Sequence, residues 1–226
     1  MKLSENTIEV LKNFSTINQG LIVKKGKLLK TLSTNKNIKA EAKISEEFTQ
    51  DFAIYDLNKT LGILSMNKTA PATEIEKDFL SFPGLGKVRQ RFSPPNLIFG
   101  YDKLDKKIDV EKFDVTLALT QEVHAWILSV ASILKCPNIV IKSVDGKVIE
   151  IFAEDVKGEI VDDASIVVEG TASMPFKAVL KIENLKIIPG AYSVGIAKGG
   201  ISKFSHTTKP ILYWIALEQA TSKFGE

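Results

Sequence analysis

The sequence is poor in the residues that build disulfide frameworks, metal centres and most catalytic sites. It contains one cysteine, Cys136, which forbids an intramolecular disulfide and is typical of a protein from a reducing compartment. Only two histidines are present, His124 and His206, and neither stands near a second ligand type at metal-site spacing. We therefore expect no metal, no cofactor and no enzymatic activity.

Long apolar runs and a strong charge imbalance are also missing. No apolar stretch approaches the ~20 residues of a membrane-spanning helix, and the N-terminus lacks the apolar core of a signal peptide. The 30 Lys and Arg residues against 27 Asp and Glu residues give a net charge of +3, too small to require a polyanionic partner. The 226 residues suffice for one large domain or for two of about 110 residues each.

The most informative pattern that is present is a repeat of predicted secondary structure. An amphipathic segment at 4–17 leads into an apolar hairpin around Lys25-Gly26. A second amphipathic segment at 120–134 leads into a hairpin around Asp145-Gly146, a dipeptide typical of type I′ turns. A shorter helix candidate follows in each half, at 56–65 and at 183–186. We therefore predict an α+β protein of duplicated architecture, dominated by antiparallel sheet, with two helices per half.

Two faces are predicted for the long helix of the second half. The residues at helical spacing that we expect to be buried are Val123, Trp126, Ile127, Val130, Ala131 and Leu134. The opposite, solvent-facing set is Gln121, His124, Ser129, Ser132 and Lys135. Between the halves, the proline-rich stretch that begins at Ser93 interrupts regular structure. We therefore place domains at 1–93 and 113–226, joined by a connector at 94–112.

Glycine-rich stretches do not add a nucleotide site. Gly84-Leu85-Gly86-Lys87 lacks the spacing of a phosphate-binding loop, and a tight turn is the better interpretation. The segment 195–200 lacks the dinucleotide fingerprint and is predicted to be a hairpin loop.

Lysines recur on or just after the four helix candidates, namely Lys12, Lys59, Lys135 and Lys186. For one isolated helix, an ordinary solvated face would be the better interpretation. Their repetition favours a mildly basic surface that contacts phosphate backbones without reading sequence and weakens with salt.

Several segments, in order along the chain, resemble the sliding clamp, or DNA polymerase processivity factor, of T-even-type bacteriophages. They are Met1-Lys2-Leu3-Ser4, Leu11-Lys12-Asn13-Phe14-Ser15-Thr16-Ile17-Asn18, Ala53-Ile54-Tyr55-Asp56-Leu57-Asn58, Leu61-Gly62-Ile63-Leu64-Ser65, Pro189-Gly190-Ala191-Tyr192, Ala197-Lys198-Gly199 and Ala216-Leu217-Glu218. The resemblance is weakest over 66–112. It rests on collinear similarity rather than on catalytic motifs.

The resemblance implies a duplicated DNA-clamp fold, with antiparallel sheets outside and two helices per domain lining the inner face. It further implies a closed head-to-tail homotrimer that encircles double-stranded DNA and tethers the viral DNA polymerase in the cytoplasm of an infected bacterial host. An ATP-driven clamp loader is an implied partner, and late-transcription factors are further candidates. Weak, screened attraction from lysines would suit sliding.

The resemblance also assigns residues to three surfaces. The DNA-facing set is Lys12, Lys59, His124, Lys135 and Lys186. Serines 129 and 132 stand where basic residues are expected, which weakens the predicted attraction. The partner-peptide pocket is Leu97, Ile98, Phe99, Pro189, Trp214, Ala216 and Leu217. Plain core packing is an equal alternative for Trp214 and Leu217.

The third surface is the subunit interface, formed by Val88, Arg89, Arg91, Ile166, Val168 and Glu169. It pairs an edge strand within 87–92 with one within 165–169, so that Arg89 and Arg91 face Asp162, Asp163 or Glu169 of a neighbour. Two other functions stay open at this point. One is a non-encircling oligomeric scaffold or assembly protein, and the other is a small hydrolase, which would need a buried acid/base cluster.

Overall fold

A computed structural model of the protein describes residues 1–66, 72–158 and 162–225. The chain divides into two compact units, Met1–Lys106 and Lys107–Glu226, and this division falls inside the segment predicted to be a connector. Over the described ranges, no helix has both the length and the apolar character needed to cross a bilayer.

Unit 1 contains two α-helices and seven strands among its described residues. In order they are α1 (Glu5–Ile17), β1 (Leu21–Val23), β2 (Gly26–Leu32), β3 (Ile38–Phe48), β4 (Phe52–Ile54), α2 (Leu57–Ser65), β5 (Glu74–Ile75), β6 (Phe79–Phe82) and β7 (Val88–Arg91). Four strands pair antiparallel in the order β3-β2-β1-β4, and the last three form a meander, β5-β6-β7. A 3-10 turn, Pro95–Leu97, follows the meander.

Unit 2 contains one α-helix among its described residues. In order its elements are β8 (Val115–Leu119), α3 (Gln121–Ile133), β9 (Asn138–Ser143), β10 (Ile149–Glu154), β11 (Ala164–Val168), β12 (Gly170–Ala172), β13 (Phe176–Lys181), β14 (Tyr192–Ala197), β15 (Ile201–His206), β16 (Ile211–Ala216) and β17 (Lys223–Phe224). One sheet has the order β11-β10-β9-β13-β17. The other strands of the unit pair as β12-β8-β14-β15-β16.

The predicted duplication is present in the strand order of both units. The order β3-β2-β1-β4 of unit 1 corresponds to β11-β10-β9-β13 of unit 2, and a long helix precedes each set. A short helical element and then an antiparallel meander follow in both cases, β5-β6-β7 in unit 1 and β14-β15-β16 in unit 2. The duplicated fold class predicted from the sequence is therefore confirmed.

The prediction of a second helix in the second half is wrong. Instead of a helix at 183–186, the chain forms one 3-10 turn, Ile182–Asn184, with Asn184 buried. Only seven residues separate the end of β13 from Pro189, and a proline disfavours helical geometry in the residue before it. A helix this short cannot recover its nucleation cost, so the described part of unit 2 has one α-helix where two were expected.

In unit 1 the sheet is covered on both faces. The apolar stripe of α1 and the buried residues of α2 meet one face, where Leu11, Leu21, Phe52, Ile54 and Leu57 surround a cavity of about 20 Å³. On the other face a separate cluster forms from Ile22, Leu32, Ala53, Ile98 and Leu104. Ile98 and Leu104 come from the segment after β7, so this segment packs on unit 1 rather than standing away from it.

A glycine makes the approach of that segment possible. A Cβ atom at Gly20 would lie 2.7 Å from Cδ1 of Ile98, closer than real contacts allow. Further bonds hold the segment. The Asn18 side-chain amide donates to the carbonyl of Phe99, and the buried Lys39 ammonium donates to the carbonyl of Lys106 at 2.7 Å. The unit 1 part of the predicted connector is thus anchored by burial and by hydrogen bonds.

The N-terminus of α1 is fixed by its cap and by a carboxylate from β3. The Ser4 hydroxyl accepts a hydrogen bond from the backbone N–H of Thr7 at 3.2 Å, as a helix cap should. The Glu46 carboxylate accepts from the Thr7 hydroxyl, from the Ser4 backbone N–H and from the Ser45 hydroxyl. Burial alone would raise the pKa of Glu46, but these hydrogen bonds outweigh it and lower the pKa to about 2.

The buried stripe of α3 agrees with the predicted one at Ile127 and Ala131 and differs from it elsewhere. His124, Ile127 and Ala131 are its buried residues, and Trp126 is 39% exposed. Nδ1 of His124 lies 3.1 Å from the carbonyl oxygen of Gly190, and its imidazole meets the Tyr192 side chain edge-on. The helix therefore turns its histidine inward and its tryptophan outward, the reverse of the expectation for both residues.

The bond to Gly190 fixes the tautomer of His124. Nδ1 must donate, and the buried Nε2 has no hydrogen-bond partner within the described part of the chain. Burial lowers the pKa of His124, the Gly190 hydrogen bond raises it, and the nearby His206 lowers it further. Their net effect is a pKa below the ordinary value, so the folded state favours the neutral imidazole.

The first prediction concerns Glu46. We expect Glu46→Gln to lower the free energy of unfolding by about 1–2 kcal/mol at pH 7, a figure reduced for the partial exposure of the carboxylate. Because the folded pKa is depressed, this stabilisation is present above the unfolded pKa of 4.5 and is lost as the pH falls toward about 2. Denaturant unfolding at pH 7 and at pH 3 measures both effects.

The matched control for this experiment is Glu47→Gln, which removes the same charge from an exposed neighbour. We expect it to change stability by about 0.5 kcal/mol or less. Equal losses in the two variants, or a Glu46→Gln loss that does not shrink at pH 3, would contradict the assignment.

The second prediction concerns the pH dependence set by His124. Since its folded pKa lies below the ordinary value of 6.5, the unfolded state binds more protons near that pH. We therefore expect stability to fall as the pH drops below 6.5, and we expect His124→Phe to reduce this fall. Thermal unfolding at pH 7.5 and at pH 5.5 gives the two slopes, and identical slopes in variant and parent would refute the interpretation.

Candidate DNA-facing and protein-facing surfaces

In unit 1 the helix layer presents two exposed lysines. Lys12 lies on the outer side of α1, whose buried residues include Leu11 and Phe14. Lys59 lies in the first turn of α2, where its backbone N–H donates to the Asp56 carboxylate at 3.0 Å. These two helices contact each other and cover the same sheet face, so both lysines belong to one surface.

In unit 2 the predicted lysines lie where helical segments end. Lys135 follows α3 and adopts a φ of 56°, in the left-handed region, before Cys136 returns into the protein. Lys186 follows the 3-10 turn, and both side chains are exposed. The exposed side of α3 itself carries Glu122, Trp126, Ser129 and Ser132. Among the described residues, the basic character of this unit's helical surface therefore comes from its ends.

His124 was wrongly included in the predicted DNA-facing set. Its side chain is 4% exposed, holds the loop before β14 through Gly190, and cannot reach a ligand outside the protein. The sequence offered no signal against it, because a histidine inside an apolar helix can occupy either face. Trp126 takes the exposed position instead.

The two predicted interface segments are both edge strands. β7 is the last strand of the β5-β6-β7 meander, and β11 is the first strand of its five-stranded sheet. Val88 is 36% exposed, while Ile166 and Val168 are half-buried and Glu169 is exposed. Val167, which was not among the predicted interface residues, is 62% exposed on β11.

The two arginines of β7 differ in their surroundings. The Arg89 guanidinium lies 3.4 Å from the Glu76 carboxylate and 4.9 Å from the centre of the Phe79 ring. Its charge is therefore partly neutralised by contacts within unit 1. Lys87 also pairs with Glu76, at 2.9 Å. These contacts hold the pKa of Glu76 below its usual value. Arg91 is exposed, and it is the better placed of the two to meet a carboxylate of another chain.

The predicted partner-peptide pocket divides into exposed and buried residues. Leu97 and Phe99 are 58% and 39% exposed, whereas Ile98 between them is 3% exposed and belongs to the core of unit 1. Ile98 was therefore wrongly included in the predicted pocket. Ile98 adopts an extended backbone conformation between the 3-10 turn and the turn that follows, and of the three residues its side chain is the buried one.

The unit 2 residues of that set also divide. Pro189 is exposed, and Trp214 and Ala216 are half-buried. The Trp214 side chain lies 6.3 Å from that of Phe113 between ring centres, and the Lys203 ammonium lies 5.4 Å from it. Leu217 is 4% exposed, so core packing, the alternative left open by the sequence, describes it correctly.

Solved structures with the same fold are found although the sequence identity is low. A chain of the PCNA2–PCNA3 complex from Sulfolobus tokodaii superposes with a TM-score of 0.65 at 9% identity, covering 97% of this chain and all of that chain. A. fulgidus PCNA, solved with the C-terminal region of FEN-1 bound, superposes with a TM-score of 0.70 at 9% identity, covering 96% of each chain. At this identity the likeness supports the fold alone.

Sequence relatives are more specific. The family described as DNA polymerase processivity factor matches residues 2–78. The sliding clamp of Escherichia phage RB69 is 30% identical over 235 residues, covering 96% of this chain and 97% of its own. The sliding clamp of Vibrio phage KVP40 is 30% identical over 223 residues, covering 96% and 99%. That of Enterobacteria phage T4 is 52% identical over 66 residues, or 29% of each chain.

The phage relatives extend the likeness from the fold to the sequence. Two of them span nearly the whole of this chain and of their own sequences. The chain therefore belongs to the sliding clamp family of DNA polymerase processivity factors.

Proposed function

We propose that three copies of this chain join head to tail into a closed ring that encircles duplex DNA and tethers a viral DNA polymerase to its template. The observation that carries the proposal is that the two units repeat one strand order and that each has a strand at the edge of a sheet, β7 in unit 1 and β11 in unit 2. An edge strand has unpaired backbone N–H and C=O groups that a strand from another chain can satisfy.

In the proposed ring, β7 of one protomer pairs with β11 of the next. The half-buried Ile166 and Val168 supply apolar contact, and the exposed Val88 covers part of the same surface. Arg91 then faces the acidic end of the neighbouring edge, at Asp162, Asp163 or Glu169. Because one edge accepts the other, the contact is heterologous, and such contacts form rings when the rotation closes.

The mechanism is topological, since a closed ring does not leave DNA by ordinary dissociation. Tight phosphate contacts would then impede sliding, whereas a few exposed lysines give a weak, screened attraction. Lys12, Lys59, Lys135 and Lys186 are proposed for this role, and all four are exposed. Glu5 and Glu122 lie on the same helices and reduce the net positive charge, which suits a surface that must not bind tightly.

Protein partners are proposed to dock through apolar side chains that are exposed or half-buried. Leu97 and Phe99 supply them in unit 1, and Pro189, Trp214 and Ala216 supply them in unit 2. The proposed partners are the viral DNA polymerase, an ATP-driven clamp loader that opens the ring, and late-transcription factors. The proposed place of action is the cytoplasm of an infected bacterial host, in keeping with the phage origin of the relatives.

The third prediction is functional. On a primed single-stranded circle with the cognate polymerase and loader, this chain should lengthen the polymerase products by about 100-fold, because tethering makes each rebinding event intramolecular. Lengthening should require the loader and ATP. Gel analysis of products made under single-hit conditions measures it.

A paired comparison tests the surface within the same assay. The double variant Lys12→Glu, Lys59→Glu should shorten products at low salt, and the difference from the parent should shrink as salt rises because salt screens these charges. The control Lys147→Glu, Lys157→Glu reverses two exposed charges outside the proposed surface and should have little effect. No lengthening with cognate partners, or lengthening without the loader, would refute the proposed function.

The fourth prediction tests the proposed interface by charge exchange. Arg91→Glu and Glu169→Arg should each weaken the trimer about tenfold or more, because each places like charges across the contact. The combined variant restores opposite charges and should recover trimer formation. Sedimentation equilibrium at several concentrations gives the mass.

Lys77→Glu serves as the control for that experiment, since it makes the same change of sign on the same meander but off its edge strand. It should leave the mass unchanged. Single variants that stay trimeric, or a combined variant that gains nothing over either one, would show that these two residues do not face each other.

A further inference from the structure

A concave site outside the proposed surfaces lies on unit 1. The turn between β1 and β2 and the segment that follows the 3-10 turn enclose a cavity of about 180 Å³. Its floor is apolar, since Ile22 and Leu104 are 6% and 7% exposed. Its rim carries the half-exposed side chains of Leu28 and Tyr101, at 44% and 50%. A cavity of this kind can receive one apolar side chain.

Lysines surround this cavity. Lys24, Lys25, Lys27 and Lys30 all line it, and Asp105 is the one carboxylate among its lining residues. Lys30 holds Asp105 at 2.8 Å, and Lys24 pairs with Asp51 nearby at 3.0 Å. Over the described ranges, no carboxylate forms an ion pair with the exposed Lys25 or Lys27. The two acids are thus already engaged, and two ammonium groups remain available to a ligand.

The site lies on the side of the sheet away from the helices. Ile22 and Leu104 belong to the cluster formed with Ile98 on the outer face, whereas Leu21 and Val23 point toward α1 and α2. Successive residues of a strand point to opposite faces, so the lysine-rimmed cavity and the lysines of the helix layer are separate surfaces. The cavity therefore does not belong to the proposed DNA-facing set.

The apolar floor of the cavity favours an acidic polypeptide over a nucleic acid strand. A nucleobase in this cavity would lose its hydrogen bonds to water against a floor of Ile22 and Leu104, which have no polar side-chain atoms. An aliphatic or aromatic side chain has no such loss and gains from burial. Carboxylates on either side of that anchor would meet Lys25 and Lys27. This combination fits a polypeptide rather than a nucleic acid strand.

We propose that this cavity is a docking site for an acidic segment of a partner protein, with one apolar side chain in the cavity and flanking carboxylates on Lys25 and Lys27. The site uses other residues than the partner-peptide pocket assigned above. It also needs no second copy of the chain and no DNA, so it stands or falls independently of the proposed ring.

Fluorescence anisotropy with synthetic peptides tests the proposal. The first probe is a fluorescein-labelled peptide with one leucine flanked by aspartates and glutamates, and the second replaces the leucine by asparagine. The third probe is a labelled oligothymidylate. We expect the first probe to bind at about 50 mM salt, to weaken toward about 200 mM, and to bind several-fold more tightly than the second.

Variants assign the binding to this site. Lys25→Glu, Lys27→Glu should weaken the first probe about tenfold or more, while the control Lys147→Glu, Lys157→Glu should leave it unchanged. Both pairs are exposed, so the fold should not be disturbed. Absence of binding by the leucine peptide, equal binding of the asparagine peptide, or equal losses in the two variants would overturn the proposal. Tighter binding of the oligothymidylate, lost in the same variant, would overturn it in favour of a nucleic acid strand.

Discussion

The unpaired backbone groups at two sheet edges are the constraint on which the proposed assembly depends. In unit 1 the meander ends at β7, and in unit 2 the equivalent of β3 is the edge strand β11. A long or apolar edge strand pairs readily with another chain unless charged residues, prolines, bulges or a covering element prevent it. Here Ile166, Val167 and Val168 leave apolar surface on β11, so the edge is suited to pairing rather than protected against it. Arg91 and Glu169 give the two edges opposite charges, which favours unlike edges over like ones.

Hydrophobic periodicity predicted the long elements and failed where short or polar segments are buried. Helices α1 and α3 and the two hairpins follow from residue spacing. Strand β15 was not predicted because its sequence is half polar, yet Ser202 is buried there and donates to the carbonyl of Ile215 at 2.8 Å. The buried stripe of α3 was predicted correctly at Ile127 and Ala131 but not at residues 124 and 126, because residues 124, 127 and 131 and residues 123, 126 and 130 have the same spacing. Tyr192 and the Gly190 carbonyl decide between them, and both are distant in sequence.

The surfaces were predictable to the extent that exposure follows from sequence pattern. The four lysines are exposed as expected, because each lies at the polar side or the end of a helical segment. Ile98 and Leu217 were assigned to a pocket but are buried, since an apolar triplet does not reveal which member turns inward. The lysine-rimmed cavity could not be predicted at all. It forms only when Asp105 folds back against Lys30, 75 residues earlier in the chain. Long-range closure of this kind leaves no local signal.

The central claim is that the protein holds DNA by encircling it. Its most direct test loads the labelled protein with its cognate loader and ATP onto nicked circular duplex DNA. The sample is then washed in high salt, and the circle is cut once with a restriction enzyme. Retention on the intact circle and rapid loss after linearisation are predicted, because a topological link ends only at a free end and exposed charge contacts are screened by salt. Equal retention before and after cutting, or loss from the closed circle in salt, would contradict the account and favour a non-encircling scaffold.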